Sequence, residues 1–132
     1  MRILIIDDDP ISRAYLRHWL VQHFPSSTLV EVGGAGCALP QIPELALVLL
    51  KLAMPNGQSY TIYKYIQMTW PKVPIILMTE SERHSVSLAK QLGAAACISK
   101  SDAPERLGPI IRNLFRAADY DRRSEVQRAS NR

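Results

Sequence analysis

The chain has 132 residues, 47 % of them hydrophobic and 21 % charged, a balance that sets aside collagen-like, disordered and coiled-coil classes. A chain of this order buries roughly two-thirds of the surface its unfolded form exposes, so it needs no disulfide or metal staple. The net charge of +4 is small for a DNA-binding face, and the basic part is residues 116 to 132, where five arginines meet three acids.

Short apolar runs alternate with helical patterns from the start of the chain. Ile3 to Ile6 reads as a fully buried strand. Ile11, Tyr15, Leu16, Trp19 and Leu20 then mark one face of a helix beginning around Pro10, a residue suited to a first helical turn. Thr28 to Val32 is a second strand, bounded by Gly33-Gly34. Between Ala35 and Glu44 a regular alternation requires a helix, but Gly36, Pro40 and Pro43 reduce it to a short turn or loop.

Leu45 to Leu50 is a third strand, apolar on both faces as a central parallel strand is. After the Met54-Pro55-Asn56-Gly57 loop, Tyr60, Tyr63, Ile66 and Trp70 have helical spacing and read as core. Val73 to Met78 is a fourth strand, Glu82 to Leu92 a helix, and Ala95 to Ser99 a short fifth strand. Leu107, Ile111, Leu114 and Phe115 mark a last helix, whose start Gly108-Pro109 delays or kinks.

Five strands alternating with helices predict an α/β fold, a parallel sheet covered on both faces. The apolar stretch Leu45–Leu50 is far shorter than the roughly 20 residues of a membrane span. The N-terminus enters a strand and meets three acids, which is no signal-peptide pattern. Cys37 and Cys97 lack CxxC or Cys/His spacing, so both read as buried thiols of a protein in the reducing cytoplasm. His18, His23 and His84 have no partner at ligand spacing and read as solvated.

In doubly wound sheets ligands sit outside the carboxyl ends of the strands. The residues there are Asp7, Asp8 and Asp9, then Lys51, Thr79 and Lys100. Paired carboxylates suit a divalent cation, a hydroxyl can bond a phosphoryl oxygen, and an ammonium is a mobile counter-charge. The stretches Ile-Leu-Ile-Ile-Asp-Asp-Asp-Pro (3 to 10), Leu-Val-Leu-Leu-Lys-Leu-Ala-Met-Pro (47 to 55), Val-Pro-Ile-Ile-Leu-Met-Thr (73 to 79) and Leu-Gly-Ala-Ala-Ala-Cys-Ile-Ser-Lys (92 to 100) carry them in one order. Over residues 1 to about 115 the sequence resembles the receiver domain of bacterial response regulators. Lys-Ser-Asp-Ala-Pro-Glu-Arg-Leu (100 to 107) looks most like the NarL/LuxR type.

This resemblance implies a flavodoxin-like (CheY-like) sheet of order 2-1-3-4-5, here with its second helix shortened. It also implies a receiver over 1–115, followed by a basic extension or linker over 116–132. The family's phosphate-accepting aspartate falls at Lys51, its aromatic switch residue at Cys97 and a usual glycine at Ser59. Lysine forms no acyl phosphate, and its charge stands where the cation otherwise sits between the acids. A lysine ammonium about 4 Å from a carboxylate gains roughly 4 kcal/mol at an effective dielectric near 20. Lys51 is therefore expected either to pair with Asp7 and Asp8 or to snorkel to solvent.

The implied reading is a pseudo-receiver with no catalysis, cofactor or bound metal, in which Asp7 and Asp8 are relic ligands, Thr79 and Lys100 are relics, and Thr79 and Cys97 hold the switch positions. Such a domain contacts a protein partner, its own output domain or a second copy through residues 82 to 116, meets DNA only through an output domain absent from this chain, and touches no membrane. The alternative is a haloacid-dehalogenase-like phosphohydrolase, with Asp7 as nucleophile and Asp9 as general acid. That family needs further acids at a later strand end, and nothing beyond Lys100 supplies them.

Overall fold

The computed structural model describes residues 1–34, 39–80 and 85–130. Strand β1 (Arg2–Ile6) leads into helix α1 (Pro10–His23), and β2 (Thr28–Val32) returns beside it. Strand β3 (Leu45–Lys51) and a short 3-10 turn (Pro55–Gly57) precede α2 (Gln58–Thr69). Then come β4 (Ile75–Thr79), α3 (Ser85–Leu92), β5 (Ala96–Ser99) and α4 (Ala103–Ser130). The sheet has the order β2-β1-β3-β4-β5 and every pairing is parallel, the topology the resemblance implied.

The two-residue alternation of each strand divides the core in two. Leu4, Ile6, Val48, Leu50, Leu77 and Cys97 face α2, packing with Ile62, Tyr63 and Ile66. Ile3, Ile5, Leu47, Leu49, Ile76 and Ile98 face the other way, against Leu16, Trp19 and Leu20 of α1 and Leu107 and Ile111 of α4. Both faces of β1 and β3 are dry, which is why these strands read as unbroken apolar runs. Burying each such leucine or isoleucine contributes about 1.5–3 kcal/mol.

Several expectations are corrected. Ile11 is 81 % and Tyr15 52 % exposed, so neither belongs to the buried face of α1. The inward positions of that first turn belong to Ser12 and Arg13, both half-buried, so polar residues displace the apolar stripe where the helix meets the strand ends. Tyr60 is 53 % exposed because the inward place on α2 is taken by Ser59, with Ile62, Tyr63 and Ile66 continuing the row. Lys51 and Thr79 are the last residues of their strands rather than the first beyond them. The fourth strand starts at Ile75 and the fifth at Ala96.

Gly108-Pro109 does not delay the last helix, which begins five residues earlier at Ala103 and continues past it to Ser130. Between β2 and β3 the described residues form no helix, while Gly36 and Cys37 lie outside them. So do Glu82 to His84, the first turn expected of the helix before β5. His18 and His23 are exposed, and His23 stacks on Trp19 with ring centroids 4.2 Å apart. No helix among the described residues is long and apolar enough to cross a membrane.

Candidate functional site

The strand order reverses at β1, and the acids that follow this strand stand at the resulting crevice. Asp7 leaves the sheet with its amide bonded to the Val32 carbonyl at 3.1 Å, and the residue is buried at 1 % exposure. Its Oδ1 accepts the Asp9 amide at 2.9 Å. Asp9 itself turns to the helix: its carboxylate accepts the Ile11 amide at 3.0 Å and caps α1, with Pro10 as first helical residue. The residue that a phosphohydrolase needs as general acid is thus committed to a helix end.

Lys51 reaches the acids from the end of β3. Its Nζ donates to Asp8 Oδ1 at 2.8 Å and stands 4.0 Å from Asp7 Oδ1. The lysine side chain is only 13 % exposed, against 32 % for Asp8, so the contact lies inside the crevice mouth. Lys100 approaches from the end of β5, its amide bonded to the Thr79 carbonyl at 2.8 Å. Its Nζ lies 3.1 Å from Asp7 Oδ2 without hydrogen-bond alignment, so that buried oxygen is held by charge alone. Glu80 stands 4.0 Å from Lys100 on the outer side. Asp7, Asp8, Lys51 and Lys100 therefore form one ionic cluster, with Thr79 at its edge as the last residue of β4.

The charges alter one another. The Lys51 hydrogen bond holds the Asp8 carboxyl below its ordinary value of 3.8, against a smaller opposing effect of burial. The same bond raises the Lys51 ammonium above 10.5, again opposed by desolvation. For Asp8 the lowered pKa means a stabilisation present above 3.8 and lost as pH falls through the lowered value. For Lys51 the raised pKa means a stabilisation present below 10.5 and lost as pH rises through the raised value. In urea unfolding across pH, Lys51→Met is expected to flatten the stability profile at both ends; a variant profile parallel to the wild type at both ends contradicts the pairing.

Arg13 and Gly34 are not among the site residues expected from the sequence, and Ser59 is expected there only as the replacement of a usual glycine. Arg13 donates to the Asp7 carbonyl at 2.7 Å, and with Arg17 it engages Glu31 of β2 at 3.8 and 2.9 Å respectively. Its place one turn after the Asp9 cap was the available signal. The Ser59 hydroxyl donates to the Lys51 carbonyl at 2.7 Å and accepts the Met54 amide at 3.1 Å, tying the loop after β3 to the lysine's own backbone. Gly34, at φ +132°, lies over the mouth: a Cβ there stands 3.7 Å from Asp8 and 3.8 Å from Gln58. Cys97 is apart from the cluster, 4 % exposed in the core under α2, and burial pushes its thiol pKa up against a smaller effect of Arg106.

The sequence pattern of the response regulator receiver domain matches residues 3–112. A glycerol metabolism activator of Pseudomonas putida is 27 % identical over 123 residues, covering 90 % of this chain and 56 % of that protein. Protein PilH of Pseudomonas aeruginosa is 29 % identical over 109 residues, covering 80 % of this chain and 90 % of PilH. RcsB from Salmonella enterica serovar Typhimurium, solved bound to promoter rprA in the presence of phosphomimetic BeF3-, superposes with a TM-score of 0.71 at 25 % identity, over 86 % of this chain and 67 % of that one. The signal receiver domain of a DNA-binding response regulator from Colwellia psychrerythraea 34H shares the fold, with a TM-score of 0.71 at 24 % identity over 88 % of this chain and 98 % of its own. The chain spans 56 % of the length of that glycerol metabolism activator and 58 % of the length of the transcriptional activator protein ExaE of Pseudomonas putida, to which it is 26 % identical over 123 residues.

Proposed function

The chain belongs to the response regulator receiver domain family, and we propose that within it this is a pseudo-receiver, which works by protein contacts and accepts no phosphoryl group. The observation that carries the reading is the Lys51 ammonium 2.8 Å from Asp8 Oδ1 and 4.0 Å from Asp7 Oδ1. A divalent cation needs hard oxygen donors converging on one point. The cation implied by the family would stand where a resident positive charge already satisfies Asp8, and among the described residues no group of three His, Cys, Asp or Glu is placed to hold a metal. These residues do not fit a metal ion. Nor is there an acid at the end of β3 to receive phosphate, since an amine gives no acyl phosphate.

The same reading makes this the regulatory domain of a NarL/LuxR-type transcription regulator in the cytoplasm. Its relatives in Pseudomonas putida are named as activators and are nearly twice as long as the matched region, which supports an output domain on the same polypeptide as the part that meets DNA. Residues 82 to 116 are then the surface through which the domain contacts that output domain, a protein partner or a second copy. Exposing the protein to Mg²⁺ with beryllofluoride or acetyl phosphate is expected to leave its melting temperature and tryptophan emission unchanged. A saturable, Mg²⁺-dependent response, or a mass increase of one phosphoryl group, would overturn the reading.

A further inference from the structure

The face of the sheet covered by α2 and α3 carries features that the pocket does not use. At its far end, away from the acids, a cavity of about 250 Å³ opens between the end of α2 and the starts of β4 and β5, lined among others by Gln67, Trp70, Lys72, Val73 and Gly93. Its polar wall is already tied together: the Tyr63 hydroxyl donates to the Leu92 carbonyl at 2.7 Å, and the Gln67 amide donates to both at 3.2 and 3.3 Å. On the same helix, Met68 is 85 % and Tyr65 45 % exposed. The Tyr65 ring meets Trp70 edge-on at 6.5 Å between centroids. Large apolar side chains left in water next to a cavity are the usual composition of a protein contact.

Among the described residues, the charge of this face is of one sign. On α2, on the turn over residues 70–74 and on the described α3, every charged residue is a lysine: Lys64, Lys72 and Lys90, all exposed. Glu80 stands at the opposite end of β4 with Lys100, and Glu44 precedes β3. A second copy of a chain with net charge +4 would bring like charge to this surface. Nucleic acid is disfavoured by three scattered lysines without an arginine, because phosphate readers favour dense basic stripes and the guanidinium fork.

We propose that the α2 face docks an acidic segment of a partner protein, with one aromatic or large aliphatic side chain of that segment entering the cavity beside Trp70. The acids of the segment meet Lys64 and Lys72, and Met68 and Tyr65 cover its flank. This surface is independent of the Lys51 pocket, so the two readings stand or fall separately.

The test is selection of displayed random peptides on the whole protein, followed by titration of the enriched peptides with Trp70 emission as readout. Trp19, on the other face of the sheet, serves as the internal control through Trp70→Phe. The expected result is enrichment of acidic sequences with a single large apolar residue, binding that shifts Trp70 emission, and an affinity loss of about tenfold or more on Lys64→Glu/Lys72→Glu, which changes exposed side chains only. Ala95→Phe, filling the cavity from a lining position, is expected to weaken binding while leaving the circular dichroism spectrum unchanged. Absence of enriched peptides, enrichment without acids, equal binding by the charge-reversed variant, or tighter binding of single-stranded oligothymidylate than of any peptide each overturns the proposal. If Lys51→Asp alters peptide affinity as much as the lysine reversals do, the site has been misplaced.

Discussion

Asp7→Ala is expected to destabilise the fold by about 3 kcal/mol, the lower end of the range for removing one partner of a buried ionic cluster. Asp7 is 1 % exposed, touches Lys100 at 3.1 Å and Lys51 at 4.0 Å, and accepts the Asp9 amide. Its loss leaves two ammoniums short of a counter-charge and one helix-entry amide without its acceptor. The cost stays at the lower end because Lys51 keeps Asp8 and Lys100 retains a 22 % exposed route to water with Glu80 nearby. Asp7→Asn separates the contributions: it keeps an oxygen for the Asp9 amide and removes only the charge. Urea unfolding with an unchanged m-value measures both; a loss under about 1 kcal/mol for Asp7→Ala would mean that solvent compensates both lysines.

Lys51→Asp is expected to give the protein a stabilising response to divalent cations that the wild type lacks. The substitution removes the 2.8 Å contact with Asp8 and sets a third carboxylate beside Asp7 and Asp8, where like charges raise one another's pKa and oppose folding. In chelator the variant should therefore melt well below the wild type. Mg²⁺ is expected to recover it, because a ligand bound only by the folded state at 100 times its Kd adds about 2.7 kcal/mol. The wild type should be indifferent to Mg²⁺ over the same range. A variant equally indifferent would show that Lys51 is one of several changes that closed the pocket, with the Ser59 tie across the loop the next to reverse.

The architecture was legible because the buried strands are nearly uniform in chemistry. Ile3 to Ile6 and Leu45 to Leu50 are apolar on both faces, and only a parallel sheet with two helical layers gives such runs a dry environment. What misled was local. Ile11 and Tyr15 have the spacing of a core stripe, but the first turn of α1 points Arg13 inward to the Asp7 carbonyl, so a polar contact fills the place that periodicity assigns to a hydrophobe. Tyr60 was displaced in the same way by Ser59. Pro109 looked like a helix boundary, yet the helix spans it from Ala103, since Leu107 and Ile111 on either side are fully buried against the sheet and outweigh a missing amide.

Within the site, Lys51 is visible in the sequence as a residue of the wrong charge at a strand end, and the need of a shielded ammonium for an acid points to Asp7 and Asp8. The division of labour among the three acids was not visible. Asp9-Pro10 is a helix-start signature, and it takes Asp9 out of the cluster. Three consecutive aspartates look equivalent in a string and occupy three different environments in space: a buried hub, a partner for lysine and a cap.

Cys97 stands in the middle of β5 where a family member would carry a large ring, and its sulfur is sealed beneath α2 with a pKa raised by that sealing. Protonated and shielded, it resists alkylating reagents and oxidants as long as the strand stays in the sheet. Modification of that sulfur therefore requires the layer packed over it to open first, so its rate is governed by how readily this side of the core opens.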